Sequence, residues 1–275
     1  MNLSATELPE LDMVRIAADE ARGIRFSSDK RTLIDYNAEL TDKEYTIPDG
    51  VTAIAEQAFE YHRKLIKVNI PEGMTAIGER AFDECFELTD IVIPDSVTEI
   101  GDGAFNGCGR ILCADNHHYF TNEAGALFDR KTDTLLHFPD DFFGSYSIPD
   151  GVKRIGENAF CYCDDLTHVN IPASVTSIGK KAFRWCINLT SINIPYGITS
   201  IGDSAFACTG LTDVVLPESL KSIGARAFFN CGHLTGINIP NSVTSIGKLA
   251  FSDSVAEWLL INQAAGQGRN SGGGK

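Results

Sequence analysis

Apolar and polar positions along this chain follow one long motif, repeated. In its clearest copy, Leu189-Thr190-Ser191-Ile192-Asn193-Ile194-Pro195 gives L-x-x-I-x-I-P; Tyr196-Gly197-Ile198-Thr199-Ser200-Ile201-Gly202 adds a shorter apolar stretch ending in glycine; Ala205-Phe206 and Cys208 close the unit. The motif-ending prolines stand at Pro48, Pro71, Pro94, Pro149, Pro172, Pro195, Pro217 and Pro240, spaced 22 or 23 residues apart except for one gap of 55 after Pro94. A short, strict period predicts a solenoid that grows lengthwise, mainly β with short helical turns. One coil alone buries too little apolar surface to offset the ordering of its backbone, so the coils must stack.

Side-chain alternation puts Leu189, Ile192 and Ile194 inside a short strand and Ser191 and Asn193 outside. Pro195 suits the strand's last position because it has no N–H to donate. Ile198–Ile201 reads as a second short strand. Gly202 to Phe206 reads as a return path in a short helical turn, its phenylalanine plugging the coil.

Two hairpins punctuate the repeats. Gly23-Ile24-Arg25-Phe26, a polar turn at Ser27–Arg31 and Thr32-Leu33-Ile34-Asp35-Tyr36 match Gly125-Ala126-Leu127-Phe128, Asp129–Asp133 and Thr134-Leu135-Leu136-His137-Phe138 in register. Each leads into Ile-Pro-Asp-Gly-Val, at Ile47 and Ile148. The chain is therefore expected to be a double super-repeat over 23–254, with the second hairpin an ordered insertion at about 111–147. Ahead of it, 1–22 is expected to form a capping helix from Leu8 to Arg22, with Leu11, Val14, Ala17, Ala18 and Ala21 on its apolar face, Pro9 in its first turn and Gly23 as its stop. Residues 255–265, with Val255, Trp258, Leu259, Leu260 and Ile261, are expected to cap the far end; 266–275 has linker composition and is expected to be disordered.

Charge narrows the partners. Lys+Arg 23 against Asp+Glu 37 gives a net charge of -14 and a pI near 4.8, which repels nucleic acid and anionic membranes. No stretch approaches the roughly 18 apolar residues of a membrane span, and Met1–Glu10 lacks the basic start and apolar run of an export signal. Cys85, Cys108, Cys163, Cys186, Cys208 and Cys231 are read as occupying one repeat position, with His62 and Ser254 there in the terminal rungs. They form a buried ladder rather than disulfide staples, which favours a reducing compartment.

The repeats resemble the BspA-like, or Treponema-type, leucine-rich repeats. Leu166-Thr167-His168-Val169-Asn170-Ile171-Pro172, Ser174-Val175-Thr176-Ser177-Ile178-Gly179 and Ala182-Phe183-Arg184-Trp185-Cys186 carry the likeness, which extends over roughly Gly23 to Ser254; the insertion with Asn116, Tyr119, Gly125 and Leu127 also resembles a unit seen between blocks of such repeats. The resemblance implies a right-handed leucine-rich-repeat-like coil that serves as a surface adhesion or recognition module. Against it stands the missing export signal, which leaves two readings: a piece of a larger exported protein, or an intracellular member.

Chemistry is thin. Cys161-Tyr162-Cys163 with His168, and Asp115-Asn116-His117-His118, lack metal-ligand spacing, and no G-x-S-x-G or phosphate loop is present. No cofactor or metal is expected and no enzyme activity, a metal- or cysteine-dependent enzyme being the remote alternative. The expected ligand-binding face is the outward side of the strand row: Lys67, Asn69, Asp90, Val92, His168, Asn170, Ser191, Asn193, Asp213, Val215, Gly236 and Asn238. Asn69, Asn170, Asn193 and Asn238 would either read a protein or glycan ligand or bond one another along the stack. A spacer or scaffold with no dedicated ligand is the competing reading, and end-to-end self-association through an open solenoid end is a further possibility.

Overall fold

The computed structural model describes residues 9–114 and 118–252. Within them the chain winds as a β-solenoid with one short helix, α1 (Met13–Ala21). Each coil presents three faces. The first is built from the L-x-x-I-x-I strands, paired in parallel: Glu44–Thr46 with Lys67–Asn69, Ile91–Ile93 with Ile111–Cys113, Gly144–Ser147 with Leu166–Asn170 and then Ser191–Ile192, and Asp213–Val214 with Gly236–Ile237. The second is built from two-residue strands that stack like on like, with Ser200 opposite Ser177 and Ser222, and Ile201 opposite Ile178 and Ile223.

The third face departs from expectation. Instead of helical turns it is a run of tandem β-turns in which residues on either side of each phenylalanine take left-handed backbone angles, Lys181 (φ 55) and Trp185 (φ 67) around Phe183 for example. Alternate N–H groups then point along the solenoid axis. Phe183 donates to the Ala205 carbonyl at 2.7 Å and Trp185 to that of Ala207 at 3.0 Å, while the groups between them close turns within the rung. A helical turn would direct every N–H back into its own coil; the alternation makes a third interrung ladder that pairs the backbone groups of this face.

Inside, the phenylalanines stack as a column: ring centroids are 4.7 Å apart for Phe160–Phe183, 5.3 Å for Phe183–Phe206 and 5.2 Å for Phe206–Phe228. Phe59, Phe82 and Phe105 form the matching column of the first block. Around them lie two apolar cores, one drawn from Ile16 to Leu127 and the other from Ala126 to Phe251, meeting at the second hairpin. At that junction His137 is buried with its ring nitrogen Nε2 donating to the Gly109 carbonyl at 2.9 Å, and its ring stands 6.2 Å from that of Phe105. The Tyr162 hydroxyl bridges the blocks, donating to Glu84 at 3.1 Å.

The hairpins differ from one another. Arg25–Phe26 pairs antiparallel with Thr32–Asp35, and Leu127–Asp129 with Thr134–His137, but the second carries a third antiparallel strand, Tyr119–Thr121. The Tyr119 hydroxyl accepts the Ile100 N–H at 3.1 Å and so seals the edge of the preceding sheet. α1 is shorter than expected and buries a different face. It starts after Asp12, whose carboxylate accepts the Arg15 N–H, and it turns Ile16 and Asp19 inward; Val14, Ala17, Ala18 and Ala21 are exposed. Asp19 can go inside because it accepts the Tyr45 hydroxyl at 2.7 Å. A spacing argument that counts only apolar residues misses a buried, satisfied carboxylate. The expected C-terminal cap, the tail and Ser254 lie outside the described residues, as do Asp115, Asn116 and His117. Among the described residues no helix is long and apolar enough to cross a membrane.

Candidate functional site

The first-face strands set the expected ligand residues along one face, in four short sheets rather than one continuous ladder. His168 stands opposite Ser191, Asp213 opposite Gly236, and Asn69 opposite Thr46, because parallel in-register pairing repeats each position one rung on. Lys67, Asn69, Asp90, Val92, His168, Asn170, Ser191, Asn193, Asp213, Val215 and Asn238 are exposed, Val92 at 58% and Val215 at 76%. Two breaks interrupt the row's regularity. Asp90 has a left-handed backbone (φ 51) just before its strand begins, and Gly236 is half-buried because the Asp213 carboxylate lies where a side chain would start, 2.2 Å from the place of its missing Cβ.

The amides neither bond one another nor form a common ladder. Asn193 clips the main chain of the preceding rung, Oδ1 accepting the Ile171 N–H and Nδ2 donating to the Ile171 carbonyl, both at 2.8 Å. Asn238 does the same to Leu216, at 2.7 and 3.0 Å. Asn69 donates to the Thr46 hydroxyl at 2.9 Å. A side-chain amide carries one acceptor and one donor group at the spacing of a peptide unit, so it substitutes for a strand neighbour where main-chain pairing stops, after Ile192 and Ile237. Their outward exposure therefore has a structural cause, and the row's remaining outward side chains are Lys67, Asp90, Val92, His168, Asn170, Ser191, Asp213 and Val215.

The thiols are likewise structural. Cys85, Cys108, Cys186 and Cys231 each donate to the carbonyl of a phenylalanine one rung earlier, at 3.0, 3.3, 2.9 and 3.0 Å for Phe59, Phe82, Phe160 and Phe206. Burial pushes the Cys85 thiol up to about 12, and holds those of Cys108 and Cys163 well above the ordinary range, so they stay neutral. Cys208 is not in the ladder. Its rung is one residue shorter, and Thr209, three after Phe206 as Cys186 is three after Phe183, takes the buried place and donates to the Phe206 carbonyl at 2.9 Å. Cys208 falls on the left-handed corner position (φ 62) and is half-exposed.

The Cys161-Tyr162-Cys163 and His168 constellation is not assembled. Cys161 and Cys163 are buried while His168 lies exposed on the first face, its Nδ1 3.0 Å from the Thr167 hydroxyl. Among the described residues no three His, Cys, Asp or Glu side chains are grouped to hold a metal ion. One concavity was missed by the sequence reading: a groove of about 310 Å³ beside the second hairpin, between Phe120 and Phe128 on one side and Pro149–Val152 on the other. The signal was present in the register of the two hairpins, which sets Asp133 against Arg31.

Comparison with known proteins matches this geometry. The family model for the BspA type leucine rich repeat region matches residues 36–122 and 137–256 in six copies. Among solved structures, a leucine rich cell surface protein from Faecalibacterium prausnitzii A2-165 is 34% identical, with 71% of this chain and 59% of that one covered and a TM-score of 0.59. The pneumococcal vaccine antigen PcpA, at 21% identity, shares the fold: 80% of this chain and 58% of that one are covered, with a TM-score of 0.69. The chain thus spans less than two thirds of either protein. No curated protein matches it. The period, the phenylalanine column and the match over most of the repeats place this chain in the BspA-type leucine-rich repeat family.

Proposed function

We propose that this chain is a non-enzymatic recognition module that binds a protein or glycan through the outward side of its first strand row. The observation that carries the reading is the row itself. The strands hold Lys67, His168, Ser191 and Asp213 outward, with Asp90 just ahead of its strand and Val92 and Val215 exposed beside Asp90 and Asp213, a mixture suited to an interface. Buried neutral thiols and the lack of a grouped metal-ligand set among the described residues support binding over catalysis. The likeness to a cell surface protein supports an adhesive role.

The test is a solid-phase screen of the purified chain against extracellular matrix proteins and glycans, beside a variant carrying His168→Glu, Ser191→Arg and Val215→Lys. These positions avoid the Asn193 and Asn238 clips, so the variant should melt like the parent. Saturable binding weakened at least tenfold in the variant supports the proposal. Unchanged affinity, or no saturable ligand at all, sinks it.

A further inference from the structure

The two hairpin units are in register in sequence but are finished differently. In the first, the segment at 9–12 lies across the turn Pro48–Val51. The Asp12 N–H donates to the Asp49 carbonyl at 3.0 Å, and Arg31 donates from Nη1 to the carbonyls of both Pro9 and Gly50, the latter at 2.7 Å. Contact is close enough that a Cβ on Gly50 would sit 2.4 Å from the Glu10 carbonyl oxygen, and Pro48 and Gly50 are buried.

In the second unit the strand Tyr119–Thr121 stands in for α1. Asn122 takes the part of Asp19, its Nδ2 donating to the Tyr146 hydroxyl at 2.7 Å where Asp19 accepts from Tyr45. Among the described residues the cover over the turn has no counterpart. Pro149, Asp150 and Gly151 are exposed, and a Cβ on Gly151 would meet nothing within 4 Å. What remains is the groove of about 310 Å³. Its apolar surface is the half-buried Phe120, backed by the fully buried Phe128 at 4.8 Å between centroids and by the buried Val152; the Arg130 guanidinium lies 4.2 Å over the Phe120 ring. On the rim, Asp133 replaces Arg31 and stands with the exposed Asp150. Asp129 is committed to the hairpin turn, accepting the Lys131 N–H and the Thr132 hydroxyl.

We propose that this groove is a docking site for an extended segment of a partner protein, with a proline or leucine against the half-buried Phe120 and a neighbouring lysine or arginine paired with Asp133 and Asp150. The first hairpin supplies the template: the same turn in the same register already holds an extended segment through one main-chain bond, Asp12 N–H to the Asp49 carbonyl, and through the Arg31 side chain on the Pro9 carbonyl. The change from Arg31 to Asp133 sets the charge of the guest. It also disfavours a second copy of this chain as the occupant, because Pro9-Glu10-Leu11-Asp12 is acidic and would meet two carboxylates. This site lies apart from the strand row and stands or falls independently of it.

The test is titration calorimetry of the whole chain with two capped hexapeptides, Gly-Pro-Lys-Leu-Arg-Gly and Gly-Pro-Glu-Leu-Asp-Gly. The basic peptide is expected to saturate and to bind at least tenfold more tightly than the acidic one. Asp133→Arg should abolish or reverse that preference, and Asp150→Lys, a second variant should the first not fold, should weaken the basic peptide at least tenfold. The His168→Glu, Ser191→Arg, Val215→Lys variant should bind it like the parent. No saturation by the basic peptide, an undiminished preference in both rim variants, or loss of binding in the strand-row variant would overturn the proposal.

Discussion

Asn193 holds both polar groups of Ile171 across one rung, at 2.8 Å each. Removing it leaves a backbone N–H and a carbonyl without partners at the point where the strand ladder ends. Asn193→Ala is expected to cost about 1–3 kcal/mol in urea melts, whereas Asn170→Ala, on the same exposed face, should stay within about 0.5 kcal/mol. Equal costs would contradict the clip.

Thiol reactivity separates the ladder from the corner. Cys113 and Cys208 are half-exposed, while the other six are buried. Alkylation of the folded chain with iodoacetamide, read by mass spectrometry, should label Cys113 and Cys208 first and Cys85, Cys108, Cys161, Cys163, Cys186 and Cys231 only after denaturation. Early labelling of Cys186 would argue against its bond to the Phe160 carbonyl.

Phe183 is fully buried between the rings of Phe160 and Phe206. Its truncation, Phe183→Ala, opens a cavity in the middle of the column and is expected to cost about 3–5 kcal/mol in denaturant melts. A loss under about 1 kcal/mol, outside that range, would mean that the neighbouring rungs collapse into the gap.

His137 should make the junction acid-sensitive. Burial lowers its folded value to about 4 from an ordinary 6.5. Above about pH 6.5 it is neutral in both states and contributes no pH dependence; as pH falls from 6.5 to 4 the unfolded chain takes up a proton that the folded chain refuses, so stability is lost across that window. The full loss is about 3 kcal/mol at 1.36 kcal/mol per unit. Asp140 acts oppositely, since burial and Asp141 raise it to about 6 and the folded chain is protonated first. Comparing stability against pH for the parent and His137→Gln isolates the histidine: the parent should fall relative to the variant between pH 6.5 and 4. Parallel curves would show that the ring is not held neutral.

The solenoid was legible because its cause is local and periodic. Proline at a strand end, Ile-Gly at the second corner and Ala-Phe before a small residue each report their own place in the coil, and 22- or 23-residue spacing states that the places stack. The Cys208 misassignment shows where that reading weakens. With one residue missing between Phe206 and Leu211, the ladder position passes to Thr209, whose hydroxyl turns back to the Phe206 carbonyl of its own rung where the thiols reach the preceding one. Residue type pointed to Cys208; distance from Phe206 pointed to Thr209, and burial decided in favour of distance.

By itself, then, the sequence determined the repeat, the inward phenylalanines and thiols, the strand row and the paired hairpins, since each follows from side-chain alternation and from apolar surface that a single coil cannot bury. Only the tertiary structure decided what the polar atoms do. Whether Asn193 faces a ligand or a backbone depends on where the pairing between two rungs stops, whether Asp19 is buried depends on a hydroxyl 26 residues away, and whether a turn is covered depends on what precedes each hairpin. Hydrogen bonds are directional and short, so their partners are set by the relative placement of rungs, whereas apolar burial is non-directional and can be read from the chain alone.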